Sequence, residues 1–187
     1  MMKYRKYNPN KKFIKEYGNR YYTGNRAGDC VIRAMTKAIG LDYLGVAELV
    51  AIENNKDIRK VVNGNQMPYK LLNQLGFKYF HNSHTFNTSF YAAKNDSEEA
   101  GLLFSSNNRS KMKSVYKLVT KTYRKWFAEE YEIVDWNVPI IWNFAMRHVA
   151  TSIGNTLYDS WDSRTRGVIG FWIGTKYNYN KSELTDY

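Results

Sequence analysis

Cysteine is almost absent from this chain. Among 187 residues there is one, Cys30, so no intramolecular disulfide can form and a secreted disulfide scaffold is excluded. No apolar run approaches the ~20 residues that a transmembrane helix needs, and no membrane span is expected. The first twenty residues, MMKYRKYNPNKKFIKEYGNR, are basic but lack the apolar stretch of a signal peptide, so a standard secretory leader is not expected. Histidine is scarce as well. His81 and His84 sit in a polar stretch with no second cysteine and no acidic cluster beside them, so neither a metal site nor a cofactor is expected. Acidic residues are outnumbered, 17 against 28 Lys and Arg, for a net charge of +11.

What is present is ample apolar material. The hydrophobic fraction is 43% and the aromatic fraction 16%, enough for a packed core and against global disorder. The length fits one ordinary domain, read as a basic, Tyr-rich arm over residues 1–24 followed by a single domain over 25–187. The excess charge sits in two places. Residues 1–28 carry eight Lys or Arg against Glu16 alone, and residues 109–125 carry seven with no acid, so the rest of the chain is net acidic. Such runs either keep a protein soluble or attract a polyanion, a nucleic acid or a cell-wall polymer. Tyr4, Tyr7, Tyr17, Tyr21 and Tyr22 interleave with the N-terminal bases, a mixture suited to stacking on single strands.

Periodicity then orders the chain. After an irregular lead-in broken by Pro9, Gly18 and Gly24, Val31, Ala34, Met35, Ala38 and Ile39 recur at the spacing of a buried helix stripe. Asp29 stands at the position of its N-cap and Gly40 just past its end. Residues 44–52 and 67–75 read as two further helices, 77–80 as a short strand, 85–110 as loop and 113–131 as an amphipathic helix. The last third is β-prone: 138–144, 148–153, 156–161 and 167–173. Gly154-Asn155 between two of these runs signals a two-residue hairpin. Helices first and an antiparallel sheet afterwards make an α+β fold.

The one cysteine begins a helix. Unpaired amides and the helix dipole favour an anion there, so a thiol so placed ionises more readily, and the thiolate is the nucleophile. Such a nucleophile needs a base, and the base a third group to orient it. In a two-residue hairpin Ile153 faces Thr156, Ala150 faces Asp159 and His148 faces Trp161. His148 and Asp159 then share one face as diagonal neighbours, roughly 7–8 Å apart at the backbone. A three-residue turn would flip the parity and bring Asp162 to His148 instead; the two-residue turn selects Asp159. Taken singly, a lone cysteine is more often core and a lone strand histidine structural. An aspartate within a strand is less ordinary, and the three together point to a site.

With these residues in order, the sequence resembles the papain-like cysteine peptidase superfamily. It is most similar to small phage- and prophage-encoded members and to the leader-processing, double-glycine branch. The resemblance is carried by Asn25-Arg26-Ala27-Gly28-Asp29-Cys30-Val31-Ile32-Arg33-Ala34, by Arg147-His148-Val149-Ala150, by Leu157 through Ser163 and by Gly167 through Trp172. Residues 64–77 are similar to that branch's helix-then-strand linker. It implies a papain-like fold in which Cys30 is the nucleophile, His148 the general base and acid, and Asp159 the orienting group. Asp159-Ser160-Trp161 resembles an acidic version of the family's amide-Ser-Trp element, with Trp161 as a shielding aromatic or as ordinary core. The family's oxyanion donor is a Gln six residues before the Cys. Here position 24 is Gly, and Asn25 is either the donor or a turn residue.

Three functions fit. The first is a cysteine peptidase or related amide hydrolase acting on a protein or peptide in a bacterial cytoplasm during phage infection, or in a virion. The second is a peptidoglycan hydrolase of NlpC or CHAP type, suited by a basic surface. The third is a non-catalytic papain-like binding or virion-associated protein that uses residues 1–28 and 109–125.

Overall fold

The run from Cys30 to Ile39 forms a ten-residue helix, α2, closed by Gly40 in the left-handed region at φ +77°, where glycine carries no Cβ penalty. The expected stripe of Val31, Ala34, Met35, Ala38 and Ile39 is buried, and so are Ile32 and Thr36. The apolar surface is wider than one stripe because α2 lies between the sheet and a second helix, α3, Tyr43–Glu53. Each such fully buried aliphatic side chain contributes roughly 1.5–3 kcal/mol relative to exposure. The expected third helix is α4, Tyr69–Gln74, followed by Gly76 at φ +77°. In this computed structural model, residues 2–18, 28–61, 64–81, 137–144, 147–164, 166 and 168–174 are described. The expected helix over 113–131, the expected loop over 85–110 and the basic run 109–125 lie outside them.

Six strands form one mixed sheet in the order β1-β5-β4-β3-β6-β2. They are β1 Lys3–Lys6, β2 Lys78–His81, β3 Pro139–Phe144, β4 His148–Ile153, β5 Thr156–Asp159 and β6 Val168–Ile173. The α+β class is as expected, but the sheet is neither wholly C-terminal nor wholly antiparallel. β2 enters from the middle of the chain, and β1 pairs in parallel with β5. The central strands β3 and β4 are buried on both faces: β3 reads as a near-continuous apolar run, whereas β4 buries Thr151 and Ser152 by hydrogen-bonding them to the Ala34 carbonyl and the Trp142 indole N–H.

Residues 2–18, expected as an irregular lead-in, are built into the fold. Lys3 through Lys6 pair with Thr156 through Asp159. Met2 is buried, and Arg164 Nη1 donates to its carbonyl at 2.7 Å. A short α1, Lys11–Phe13, runs on as a π-helical turn and sets Phe13 into the core against Tyr43. The charges remain outside: Lys3, Arg5 and Lys6 are exposed along an edge strand, a position that suits lysine. Among the described residues, no helix is long and apolar enough to cross a membrane.

Candidate active site

Two local devices bring the candidate residues together. The first is the hairpin. Gly154 adopts φ +55°, which a primed two-residue turn requires at its first position, and Ile153 pairs with Thr156, Ser152 with Leu157 and Thr151 with Tyr158. The register is the one expected from the Gly-Asn pair, and it sets Asp159 on the face of His148. The second is the packing of α2 along β4. The Thr151 hydroxyl donates to the Ala34 carbonyl at 2.7 Å, one turn beyond Cys30. At the near end the Cys30 Sγ lies 3.9 Å from the carbonyl of Arg147, the residue before His148. Arg147 itself has φ +57°, a costly conformation for a non-glycine residue. At the start of β4 it turns that carbonyl toward the sulfur.

His148 Nε2 meets Asp159 Oδ2 at 2.6 Å, with 12% and 3% of the two side chains exposed. An imidazole has two nitrogens, so Nδ1 is the one not taken by Asp159, and the Cys30 thiol lies close enough to the ring to raise its proton affinity. Burial pushes the His148 pKa down. The hydrogen bonds from Asp159 and Cys30 and the charges of both outweigh it and hold the imidazole at about 9, against an ordinary 6.5. The ring is therefore an imidazolium at neutral pH, between a carboxylate and a thiol. No family model, no curated protein and no solved structure gives a significant match to this chain.

Asp159 is held from several sides. Ser160 N donates to Oδ1 at 2.7 Å, and the Ser163 hydroxyl donates to Oδ2 at 2.5 Å. Ser163 is fully buried. It is the site residue that sequence reasoning missed: nothing in a loop serine marks it out until the chain after β5 is seen to fold back. Asp162, the alternative partner, is committed elsewhere. It forms a two-bond fork with Arg164, at 2.7 Å to Nε and 2.8 Å to Nη2, in the loop after β5. The Trp161 ring centroid lies 4.9 Å from that of His148, and the residue is 39% exposed. Phe144 stacks on His148 with ring centroids 6.0 Å apart, and Arg166 sits 5.2 Å over the Trp161 ring. Asn25 lies outside the described residues. Among those residues no group of three His, Cys, Asp or Glu side chains is assembled that could hold a metal.

Ser163→Ala removes one charge-assisted bond to a buried carboxylate. The expected cost is about 1–3 kcal/mol of stability, with a roughly tenfold slower reaction at Cys30 because the Asp159–His148 pair loosens (about 1.4 kcal/mol). Thermal melts and iodoacetamide labelling of the single thiol check this. An unchanged melting temperature together with an unchanged labelling rate would leave Ser163 without a role.

Proposed function

We propose that the chain is a cysteine peptidase or related amide hydrolase with a papain-like arrangement, in which Cys30, His148 and Asp159 act as nucleophile, acid–base and orienting group. The observation that carries the reading is His148 placed between a carboxylate on Nε2 and a thiol at a helix N-terminus. The chemistry follows from that order. The Cys30 thiolate attacks an amide carbonyl, and a C–S bond forms as the carbonyl π pair moves to oxygen. The oxyanion lies at the start of α2, where the Cys30 amide is a donor. His148 Nδ1–H then protonates the leaving nitrogen, the C–N bond breaks, and an acyl-thioester remains. Water, deprotonated by the now neutral His148, attacks the thioester. The acid leaves, and the thiolate and imidazolium are restored. The resemblance of the sequence to phage-encoded members supports a protein or peptide substrate met in an infected bacterial cytoplasm or in the virion.

A specific observation favours a second substrate class. Lys3, Arg5, Lys6, Lys11, Lys12 and Lys15 are all exposed, a cationic surface suited to an anionic polymer such as peptidoglycan with its attached acids. The test is to incubate the protein with a diverse peptide library and, in parallel, with purified sacculi. Products are read by mass spectrometry, with Cys30→Ala as the blank. New peptide termini present with the native chain and absent with Cys30→Ala are expected. Release of wall fragments instead selects the second substrate. No Cys30-dependent product from either pool, with the thiol shown to be unactivated, would return the protein to a binding role.

A further inference from the structure

Asp29 is wholly buried one residue before Cys30. It occupies the cap position of α2, where an aspartate side chain ordinarily accepts from the second or third amide of the helix. Here it makes no such bond. The same chain caps with aspartate elsewhere: Asp42 accepts from Gly45 N at the start of α3, and Asp57 from Arg59 N at a short 3-10 turn. The side chain of Asp29 is drawn sideways. Its Oδ2 accepts from Asn10 Nδ2 at 2.7 Å and from the Tyr43 hydroxyl at 2.8 Å. Its Oδ1 faces Arg33 Nε at 3.2 Å, a charge contact without hydrogen-bond alignment.

We propose that Asn10, Tyr43 and Arg33 withhold the Asp29 carboxylate from α2, and that this keeps the first amides of the helix for the anion formed at Cys30. The inference deepens the catalytic reading above and rests on it. A carboxylate that capped α2 would do two unfavourable things at once. It would occupy the Val31 or Ile32 amide, and it would set a negative charge beside a thiolate and an oxyanion. Turned away and matched by Arg33, it does neither. Asp29 and its three partners touch no reacting atom; they are positioning residues. Among the described residues, β4 brings His148 to the thiol, backed by Asp159 from β5, and Arg147 brings its carbonyl. The charged groups near the start of α2, Asp29 just before it and Arg33 one turn on, are paired with each other. Asn10 ties in the N-terminal segment, which also reaches the far side of the site, where Tyr7 N donates to the Asp159 carbonyl at 2.7 Å.

The experiment is the pH–rate profile of iodoacetamide labelling at Cys30, the sole thiol, in the full chain. It is recorded for the unmodified protein, Tyr43→Phe, Asn10→Ala and Val50→Ala. The last lowers stability from a fully buried site in α3, seven residues on from Tyr43, and removes no hydrogen bond to Asp29. The unmodified protein is expected to label at pH 6.5 nearly as fast as at pH 8.5. Tyr43→Phe and Asn10→Ala are each expected to slow labelling at pH 6.5 about tenfold, the effect of a one-unit change in thiol ionisation, with the plateau at high pH unchanged. Val50→Ala is expected to keep the unmodified profile. Unchanged profiles in both cluster variants overturn this inference and leave the catalytic reading standing. An equal slowing in Val50→Ala also overturns it, since lost stability would then explain the effect. A native thiol that labels with ordinary steepness overturns the catalytic reading, and this inference with it.

Discussion

His148→Ala is expected to slow labelling of Cys30 at pH 6.5 by about 100-fold while leaving the rate at high pH within a few-fold. The size comes from ionisation. An unassisted thiol titrates near 8.5, so about one in a hundred is thiolate at pH 6.5. An imidazolium that keeps its proton to about 9 stabilises an anion beside it, and the substitution removes that help. Hydrolysis of any substrate should fall further, by about 100- to 10,000-fold, because the same ring also moves protons to the leaving group and from water. The fold should survive. In the variant the Asp159 carboxylate still accepts from Ser160 N and from the Ser163 hydroxyl, so the buried charge keeps partners. Near-UV circular dichroism establishes this before labelling begins. Equal low-pH rates in the native chain and the variant, on a folded protein, would remove the ion pair from the mechanism.

The route to His148 and Asp159 was legible because it depends on short-range geometry. Gly154-Asn155 admits a two-residue primed turn, the turn sets the register, and period-two alternation decides which aspartate shares the histidine's face. Asp162, three residues on, falls in the loop and pairs with Arg164. Cys30 at a helix start was legible for the same reason, since the apolar spacing and Gly40 bracket α2. What could not be read depends on contacts between distant parts of the chain. Lys3–Lys6 carries no apolar alternation, and its pairing with β5 is supplied by tertiary context rather than by propensity. Arg147 at φ +57° violates the preference of its residue type, and strain of that kind is found where the surroundings impose it. Asp29 shows the limit most clearly. Local rules give it a cap, and its position in the chain is that of a cap. The donors that draw its side chain away, Asn10 and Tyr43, lie 19 and 14 residues distant. A rule that uses only neighbours along the helix cannot see them.

The second large effect is on stability, and it runs against the usual expectation for a basic protein. The His148 pKa is about 9 when folded and near 6.5 when unfolded. Below pH 6.5 both states hold the proton and the pair contributes its full stabilisation. Between 6.5 and 9 the unfolded chain has released this proton and the folded chain has not, so His148 by itself makes folding take up a proton and lose stability as pH rises; ionisation of the Cys30 thiol on folding returns a proton and cancels that slope, so the effect is read in a Cys30→Ser background. Above 9 the contribution is gone. The side chains involved are almost fully buried, so little is lost to solvent screening. The shift corresponds to about 3 kcal/mol at most, or roughly 6–12 °C in melting temperature for a domain of this size. Other groups titrate near the top of that window, so the measurement is a difference. Melting temperatures from pH 5.5 to 9.5 are compared between Cys30→Ser and Cys30→Ser/His148→Gln, so that no thiol titrates in the window. The chain that keeps His148 should lose its advantage progressively through the window, and the double variant should be nearly flat across the lower part of it. Parallel curves would mean that His148 enters the folded state with an ordinary proton affinity, and the imidazolium between Asp159 and Cys30 would have to be abandoned.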